Sequence, residues 1–236
     1  STDEAGNVFW RLYMHLGESP ESVALTPTTT SGVLFNGMSG DGSRVFFTTA
    51  EPLLPSDLDT GTDLYAADIA SDNSVSLELL SAGSSVTAGN TDACDPVANS
   101  DGNNWNAFGS ASVNGCGIVT IAGGGGLARG GGAAYFFSPE ALDGSGVAEQ
   151  PNLFVVKPGS APRFVATLEP DNPAVRHAVA AQALHHYGDF QVTPDGRFAV
   201  FGTKLPLLPE IVNFGHALVY RYDSATGGLV CASCPP

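Results

Sequence analysis

The strongest constraint on this chain is a phrase that it repeats. Asp41-Gly42-Ser43-Arg44-Val45-Phe46-Phe47 returns as Asp195-Gly196-Arg197-Phe198-Ala199-Val200-Phe201, with a degenerate copy, Gly131-Gly132-Ala133-Ala134-Tyr135-Phe136-Phe137, between them. An aromatic on a second apolar run follows each phrase: Tyr65, Phe154 and Tyr220, at distances of 24, 23 and 25 residues from its first residue. A Pro-Leu-Leu-Pro loop also recurs, at Pro52 to Pro55 and Pro206 to Pro209, each 11 residues after its aspartate. A supersecondary unit that recurs in register buries its apolar faces against its own neighbours, so the repeat constrains architecture before any single residue is interpreted. It does not by itself specify an activity.

The repeat divides the chain into sets of four strands. The first is expected at Phe35 to Ser39, Arg44 to Thr49, Asp63 to Asp68 and Val75 to Ser81. The second is expected at Cys116 to Ala122, Ala133 to Ser138, Asn152 to Lys157 and Arg163 to Leu168. The third is expected at Asp189 to Thr193, Arg197 to Thr203, Ala217 to Tyr222 and Leu229 to Ala232. Val8 to His15 and Ser22 to Thr26 stand ahead as the third and fourth strands of a set, so the chain is expected to be cut from something longer. Ser39-Gly40-Asp41-Gly42 and Thr193-Pro194-Asp195-Gly196 predict tight turns with glycine at positive φ. Continuous runs such as Val45-Phe46-Phe47 and Phe198-Ala199-Val200-Phe201 predict strands buried on both faces. The alanine-rich Pro173 to His186 predicts a short helical insertion. Ala82 to Gly115 is a long connection, and both long connections should crowd one end.

Ser/Thr-x-Asp-Gly at the turn into an apolar strand, carried by Ser39 to Phe47 and Thr193 to Phe201, resembles the WD40-like, TolB-type bacterial β-propeller repeat. Asp63 to Asp68 and Leu218 to Asp223 match that family's third strand. The middle copy departs, with Gly131-Gly132 in place of Asp-Gly. The resemblance implies an all-β fold of four-stranded antiparallel blades, about three full blades and an N-terminal half blade, within a longer propeller. The units fall at 1–30 (half blade), 31–81, 116–170 and 188–236, with a loop at 82–115 and an insertion at 171–187. The cysteine-bearing loop and the ending look like secreted actinobacterial propellers. Such proteins are mostly binding platforms or accessory domains, and no catalytic residue carries over from them.

Composition narrows the partners. Net charge is −15, from 24 acidic against 9 basic residues. A phosphate backbone would be repelled, so nucleic acid is excluded as a partner. No apolar run approaches the ~20 residues that a membrane-spanning helix needs. The cysteines are Cys94, Cys116, Cys231 and Cys234, and sequence leaves three pairings open. Local pairing is the simplest and requires an oxidising compartment. A four-cysteine zinc site and a thioredoxin-type role for Cys231-x-x-Cys234 are weaker alternatives. Only one pair has zinc-like spacing, and Pro235-Pro236 prevents the helix that lowers such a thiol's pKa.

Several residue groups invite chemistry. Asp57, Asp59 and Asp63 have the alternating oxygen ligands that suit calcium, against the simpler expectation that they hold a turn through Asx bonds. His177 with His185 or His186 is spaced over two helical turns, too far for adjacent-turn zinc ligation. Gly123 to Gly126 and Gly130 to Gly132 lack the Gly-Lys-Ser/Thr of a phosphate loop and predict a loose hairpin loop. No Gly-x-Ser-x-Gly elbow occurs. Ser39 to Ser43 shares only the opening of a sialidase box. Glu51, Glu140 and Glu210 follow second strands and are expected to be solvated, although a convergent carboxylate pair is what glycoside hydrolysis needs. Trp105, in Asn103-Asn104-Trp105-Asn106, either stacks on a ligand such as a sugar or pins its own loop. The expected function is a non-enzymatic extracellular scaffold for a protein or glycan. The alternative is part of a carbohydrate-processing or other hydrolytic propeller with groups outside residues 1–236.

Overall fold

A computed structural model of the chain describes residues 10–17, 21–30, 32–58, 62–83, 120–148, 150–169, 172–175 and 190–234. Fourteen strands are described: β1 (Tyr13–His15), β2 (Ser22–Ala24), β3 (Val33–Met38), β4 (Arg44–Thr49), β5 (Asp63–Ile69), β6 (Val75–Leu79), β7 (Thr120–Ile121), β8 (Ala134–Ser138), β9 (Asn152–Val156), β10 (Arg163–Thr167), β11 (Phe190–Val192), β12 (Phe198–Thr203), β13 (Leu218–Asp223) and β14 (Gly228–Cys231). They pair antiparallel in chain order as one two-stranded sheet, β1–β2, and three four-stranded sheets, β3–β6, β7–β10 and β11–β14. This is the all-β propeller architecture, in which each sheet is a blade. No helix of the described residues is long and apolar enough to cross a membrane.

Consecutive sheets stack face to face because alternate residues of their middle strands feed different cores. Val45, Phe47, Tyr65 and Ala67 pack with Leu25 of the half blade. Phe46, Leu64 and Ala66, one position out of phase, pack with Ile121, Ala134, Phe136, Phe154 and Val156 of the next blade. That blade turns Tyr135, Phe137, Leu153 and Val155 the other way, against Phe190, Ala199, Phe201, Tyr220 and Tyr222. Phe47 stacks on Tyr65, Phe136 on Phe154 and Phe201 on Tyr220, with ring centroids 5.7, 5.9 and 6.4 Å apart. The recurring aromatic is therefore one half of a cross-strand pair within each blade, worth about 0.5–1.5 kcal/mol beyond its buried area.

The turn phrase is a small hydrogen-bonded device. Asp41 Oδ1 accepts from the Ser39 hydroxyl (2.6 Å), the Ser43 N–H (3.0 Å) and the Ser43 hydroxyl (2.8 Å). Ser39 Oγ in turn accepts from the Arg44 N–H at 3.0 Å. In the last blade Asp195 accepts from the Thr193 hydroxyl (2.5 Å) and the Arg197 N–H (3.0 Å), and Thr193 Oγ1 accepts from the Phe198 N–H at 3.0 Å. Gly42, Gly131 and Gly196 hold φ of 73°, 73° and 75°. Their N–H groups donate to Ser39, Ala128 and Thr193.

That last pattern corrects the alignment of the middle copy. Gly131 stands where Gly42 and Gly196 stand, not where Asp41 stands. Phe136 faces Phe154 as Phe47 faces Tyr65 and Phe201 faces Tyr220. A run of equivalent glycines hid the one-residue shift.

The glycine-rich loop is also corrected, because it is not loose. Ala122–Gly124 makes one 3-10 turn. A Cβ on Gly125 would collide with the Phe190 carbonyl, and one on Gly123 would meet Phe190 Cβ at 2.8 Å. The missing side chains let one blade's loop lie against the next blade's first strand. Neighbouring turns are joined by backbone bonds as well, Gly40 N–H to the Arg129 carbonyl (2.7 Å) and Gly130 N–H to the Pro194 carbonyl (2.8 Å). Within 173–186 only 173–175 is described and helical. Ala174 and Val175 are buried in the core between the last two blades. In contrast to the expectation for Phe198 to Phe201, the last blade is buried on one face only, with Val200 exposed.

Two outcomes follow for stability. Gly125→Ala is expected to destabilise by about 1–3 kcal/mol through overpacking, whereas Gly32→Ala, with nothing within 4 Å, should change stability by less than about 0.5 kcal/mol; denaturant midpoints decide between them. The Ser39 hydroxyl, followed by the Ser43 N–H and hydroxyl, lowers Asp41 from 3.8 to about 2, and the Thr193 hydroxyl leads the lowering of Asp195. A depressed carboxylate stabilises the fold above its unfolded pKa and loses that contribution as pH falls through the folded one. Stability should therefore fall between about pH 4 and pH 2, and Asp41→Asn should flatten part of that fall in denaturant titrations.

Candidate binding face

Because strands alternate in direction, the turns β3–β4, β7–β8 and β11–β12 lie at one end of the stack. The loops β4–β5, β8–β9 and β12–β13 lie at the other, where each blade's first strand begins and its fourth ends. Polar bonds hold this second end together. The Thr30 N–H and hydroxyl, entering the first full blade, donate to Glu51 Oε2 at 3.0 and 2.9 Å. Glu169, leaving the middle blade, accepts from the Thr203 hydroxyl and the Lys204 N–H of the last one. Asn172 donates to the Gly202 carbonyl at 2.9 Å.

The two Pro-Leu-Leu-Pro loops hang from buried tyrosines. The Leu53 N–H donates to the Tyr65 hydroxyl at 3.2 Å, and the Leu207 N–H to the Tyr220 hydroxyl at 3.3 Å. The aromatic and the loop that recur in sequence thus form one unit. Phe154 in the middle blade lacks the hydroxyl, and its loop lacks the Pro-Leu-Leu-Pro run. There Asn152 serves instead, accepting from the Val147 N–H and donating to the Val147 carbonyl.

Tyr65 also donates to Asp57, and the Ser81 hydroxyl donates to Asp63. Burial, then the Asp57 hydrogen bond, raises the Tyr65 phenol far above its ordinary value. Two of the three aspartates considered for calcium are therefore engaged by hydroxyls from neighbouring strands. Asp59 lies outside the described residues. Among the described residues no group of three His, Cys, Asp or Glu side chains is arranged to hold a metal ion.

The three glutamates after second strands are not alike. Glu140 is buried and Glu51 is half-buried against Thr30, which corrects the expectation that both are solvated; Glu210 is exposed. For Glu51 the cause is the preceding connection, whose Thr30 N–H and hydroxyl close on its carboxylate.

Cys231 and Cys234 form a disulfide that closes the end of β14, with Cα atoms 5.5 Å apart. Cys94, Cys116, Trp105, His177, His185 and His186 lie outside the described residues.

The feature that sequence inspection passed over is in the β12–β13 loop. Asn213 Nδ2 donates to the carbonyls of Lys204 and His216, and its Oδ1 accepts from the Gly215 N–H. The His216 N–H closes the turn on the Asn213 carbonyl at 2.9 Å. Inside this clamp Phe214 sits at φ 49°, unusual for a bulky residue, with 87% of its surface exposed and Val212 exposed beside it. Leu58 and Val147 are exposed in the other two loops of the same end. The available signal was Asn-Phe-Gly, an aromatic between two residues that favour left-handed turns.

No protein-family model matches the chain, and no curated protein matches it. Three solved structures are similar in shape. TolB from Acinetobacter baumannii has a TM-score of 0.40 and 10% identity over 95% of this chain. The tricorn protease has 0.42 and 12% over 90%. A puromycin-hydrolysing peptidase of Mycobacterium tuberculosis has 0.33 and 13% over 91%. The chain spans 37%, 14% and 32% of their respective lengths. At these scores none of the three assigns an activity.

Removing single hydroxyls separates the two tyrosine anchors. Tyr220→Phe should cost about 0.5–1.5 kcal/mol, one hydrogen bond. Tyr65→Phe should cost more, about 2–4 kcal/mol, because it also strips a donor from the buried Asp57 carboxylate. Equal losses in urea denaturation would contradict the arrangement.

Proposed function

We propose that this chain is a non-enzymatic binding platform that takes up a protein or glycan at the end carrying the β4–β5, β8–β9 and β12–β13 loops. The observation behind this reading is Phe214. Left-handed backbone at a bulky residue costs of order 1–3 kcal/mol and persists where the surroundings impose it. Here four hydrogen bonds from Asn213 and its neighbours impose it, and the product is an aromatic ring held out in water. Rigid exposed aromatics are the side chains that most often anchor an interface. Leu58 and Val147 supply apolar contact from the two preceding blades, on a chain whose net charge of −15 favours basic partners.

The Cys231–Cys234 disulfide supports an oxidising, extracytoplasmic setting. The hydrolytic alternative would need groups that converge at the same end, and Glu51, Asp57, Asp63 and Glu169 there are engaged by neighbouring donors.

The test is a glycan array together with crosslinking to secreted proteins, each hit also scored for turnover. Phe214→Ala is expected to weaken binding to an identified partner at least about tenfold, as loss of an anchor residue does, with the melting temperature unchanged. Partners bound equally well by Phe214→Ala, or hydrolysis of a bound glycan, would overturn the proposal.

A further inference from the structure

The fourth strand of each blade is a sheet edge, and an edge with unpaired backbone groups is a template for another strand. Propellers keep such edges short or protected. Three of the four described edges are blunted. β2 has three residues. β10 carries a bulge between Phe164 and Ala166, and Asp143 Oδ2 takes the Phe164 N–H at 2.8 Å. β14 has four residues and runs into the Cys231–Cys234 disulfide. β6 has five residues, no register shift, no proline and no lysine.

The direction of each β6 backbone group follows from its ladder. The Leu80 N–H donates to the Leu64 carbonyl, and the Ala70 N–H to the Ser74 carbonyl. In the β5–β6 register that parity makes Ala66–Glu78 and Asp68–Ser76 the hydrogen-bonded pairs. Val75, Leu77 and Leu79 fall in the other pairs, so their N–H and C=O groups point away from β5. Their side chains pack against the core shared with the half blade. Ser76 and Glu78 lie on the opposite face of the sheet, with Asp68. Glu78 is the one charge on β6 and does not guard the edge, because it is drawn back onto Arg44 and the Gly159 N–H of the next blade.

We propose that β6 is a strand-addition site, where an extended segment of a partner polypeptide pairs with Val75, Leu77 and Leu79 as a fifth strand of the first full blade. Only a strand matches backbone groups that repeat at every second residue, roughly 7 Å apart. The alternation of β6 specifies that segment. Its residues beside Val75, Leu77 and Leu79 are apolar and extend their core outward. Its intervening residues are basic, on the face that carries Glu78 and Asp68, because opposite charges across a ladder attract. The net charge of −15 favours the same partner. The site lies on the rim of the blade and stands independently of Phe214 and the loop end.

The test uses the whole chain and two synthetic peptides of about six residues, a typical strand length. One alternates lysine and valine, and the other holds the same residues in two blocks. Amide hydrogen exchange in the free protein should be fast at Val75, Leu77 and Leu79 and slow at Ser76 and Glu78. The alternating peptide should slow the first three at least about tenfold, and the block peptide should not. Val75→Pro removes an outward N–H and no ladder bond, a change that an edge strand tolerates. It should weaken the alternating peptide at least about fivefold, as loss of one hydrogen bond does, with the melting temperature unchanged. The exchange measurement on the unsubstituted protein decides the matter even where that variant fails to fold. Protection of the three amides without peptide would overturn the proposal. At every protein concentration it would mean that the edge is already covered, and only at high concentration that a second copy is the occupant. Equal binding of the two peptides, or no binding of the alternating one, would overturn it as well.

Discussion

Everything in this molecule depends on sheets stacking face to face, so that in the first full blade and the middle one both sides of the second and third strands are dry. Phe46 and Phe47 are neighbours in the chain and belong to different cores, as are Tyr135 and Phe136. Each blade boundary is therefore a hydrophobic core in its own right, and no blade can bury its strands alone. This explains a chain with 43% hydrophobic and only 14% charged residues. It also explains why glycine recurs where blades approach. At Gly123 and Gly125 the adjacent strand occupies the space in which a side chain would stand.

The two ends of the stack use polar chemistry differently. At the turn end the bonds are local and backbone-directed. A serine or threonine bridges the aspartate to the strand's first N–H, and neighbouring turns join through main-chain groups. In the middle blade Ala128 and Gly130 supply neither hydroxyl nor carboxylate, and the turn closes through the backbone alone. The side-chain device therefore reinforces a geometry that the positive-φ glycine already permits. At the loop end side chains do the holding. Tyr65, Tyr220, Asn152, Glu51 and Glu169 each tie a connection to a strand, so these loops can differ in sequence while their roots stay fixed.

That division accounts for what could be read without coordinates. The Asp-Gly turns, the aromatic pair and three sets of four strands were legible because each is local or recurs in register. The exact place of the middle turn was not, because one glycine among seven looks like another, and it is the Gly131 N–H to Ala128 carbonyl bond and the β8–β9 register that distinguish it. Two-sided burial of β12 was over-read. Phe198-Ala199-Val200-Phe201 is as continuously apolar as Val45-Phe46-Phe47, and hydrophobicity does not say whether a neighbour stands on the far side. Glu51 looked like a solvated loop residue because the donors that hold it, the Thr30 N–H and hydroxyl, lie 21 residues away in the sequence. Phe214 was missed because its interest lies in backbone conformation and exposure, neither of which a hydrophobicity pattern reports.

The same physics says why fold and function separate here. Blade cores constrain residues whose contacts are set by the repeat, and those residues say nothing about a ligand. The residues free to carry recognition are those that the repeat leaves unconstrained, at the loop tips beyond the tyrosine and asparagine anchors. Val212 and Phe214 are in that class, while Asp57 and Asp63 are not, since hydroxyls of β5 and of Ser81 hold them. An aromatic ring clamped into solvent has no partner of its own, and the free energy of covering it is still available to whatever binds. On the proposed reading, recognition therefore falls to side chains with no structural task.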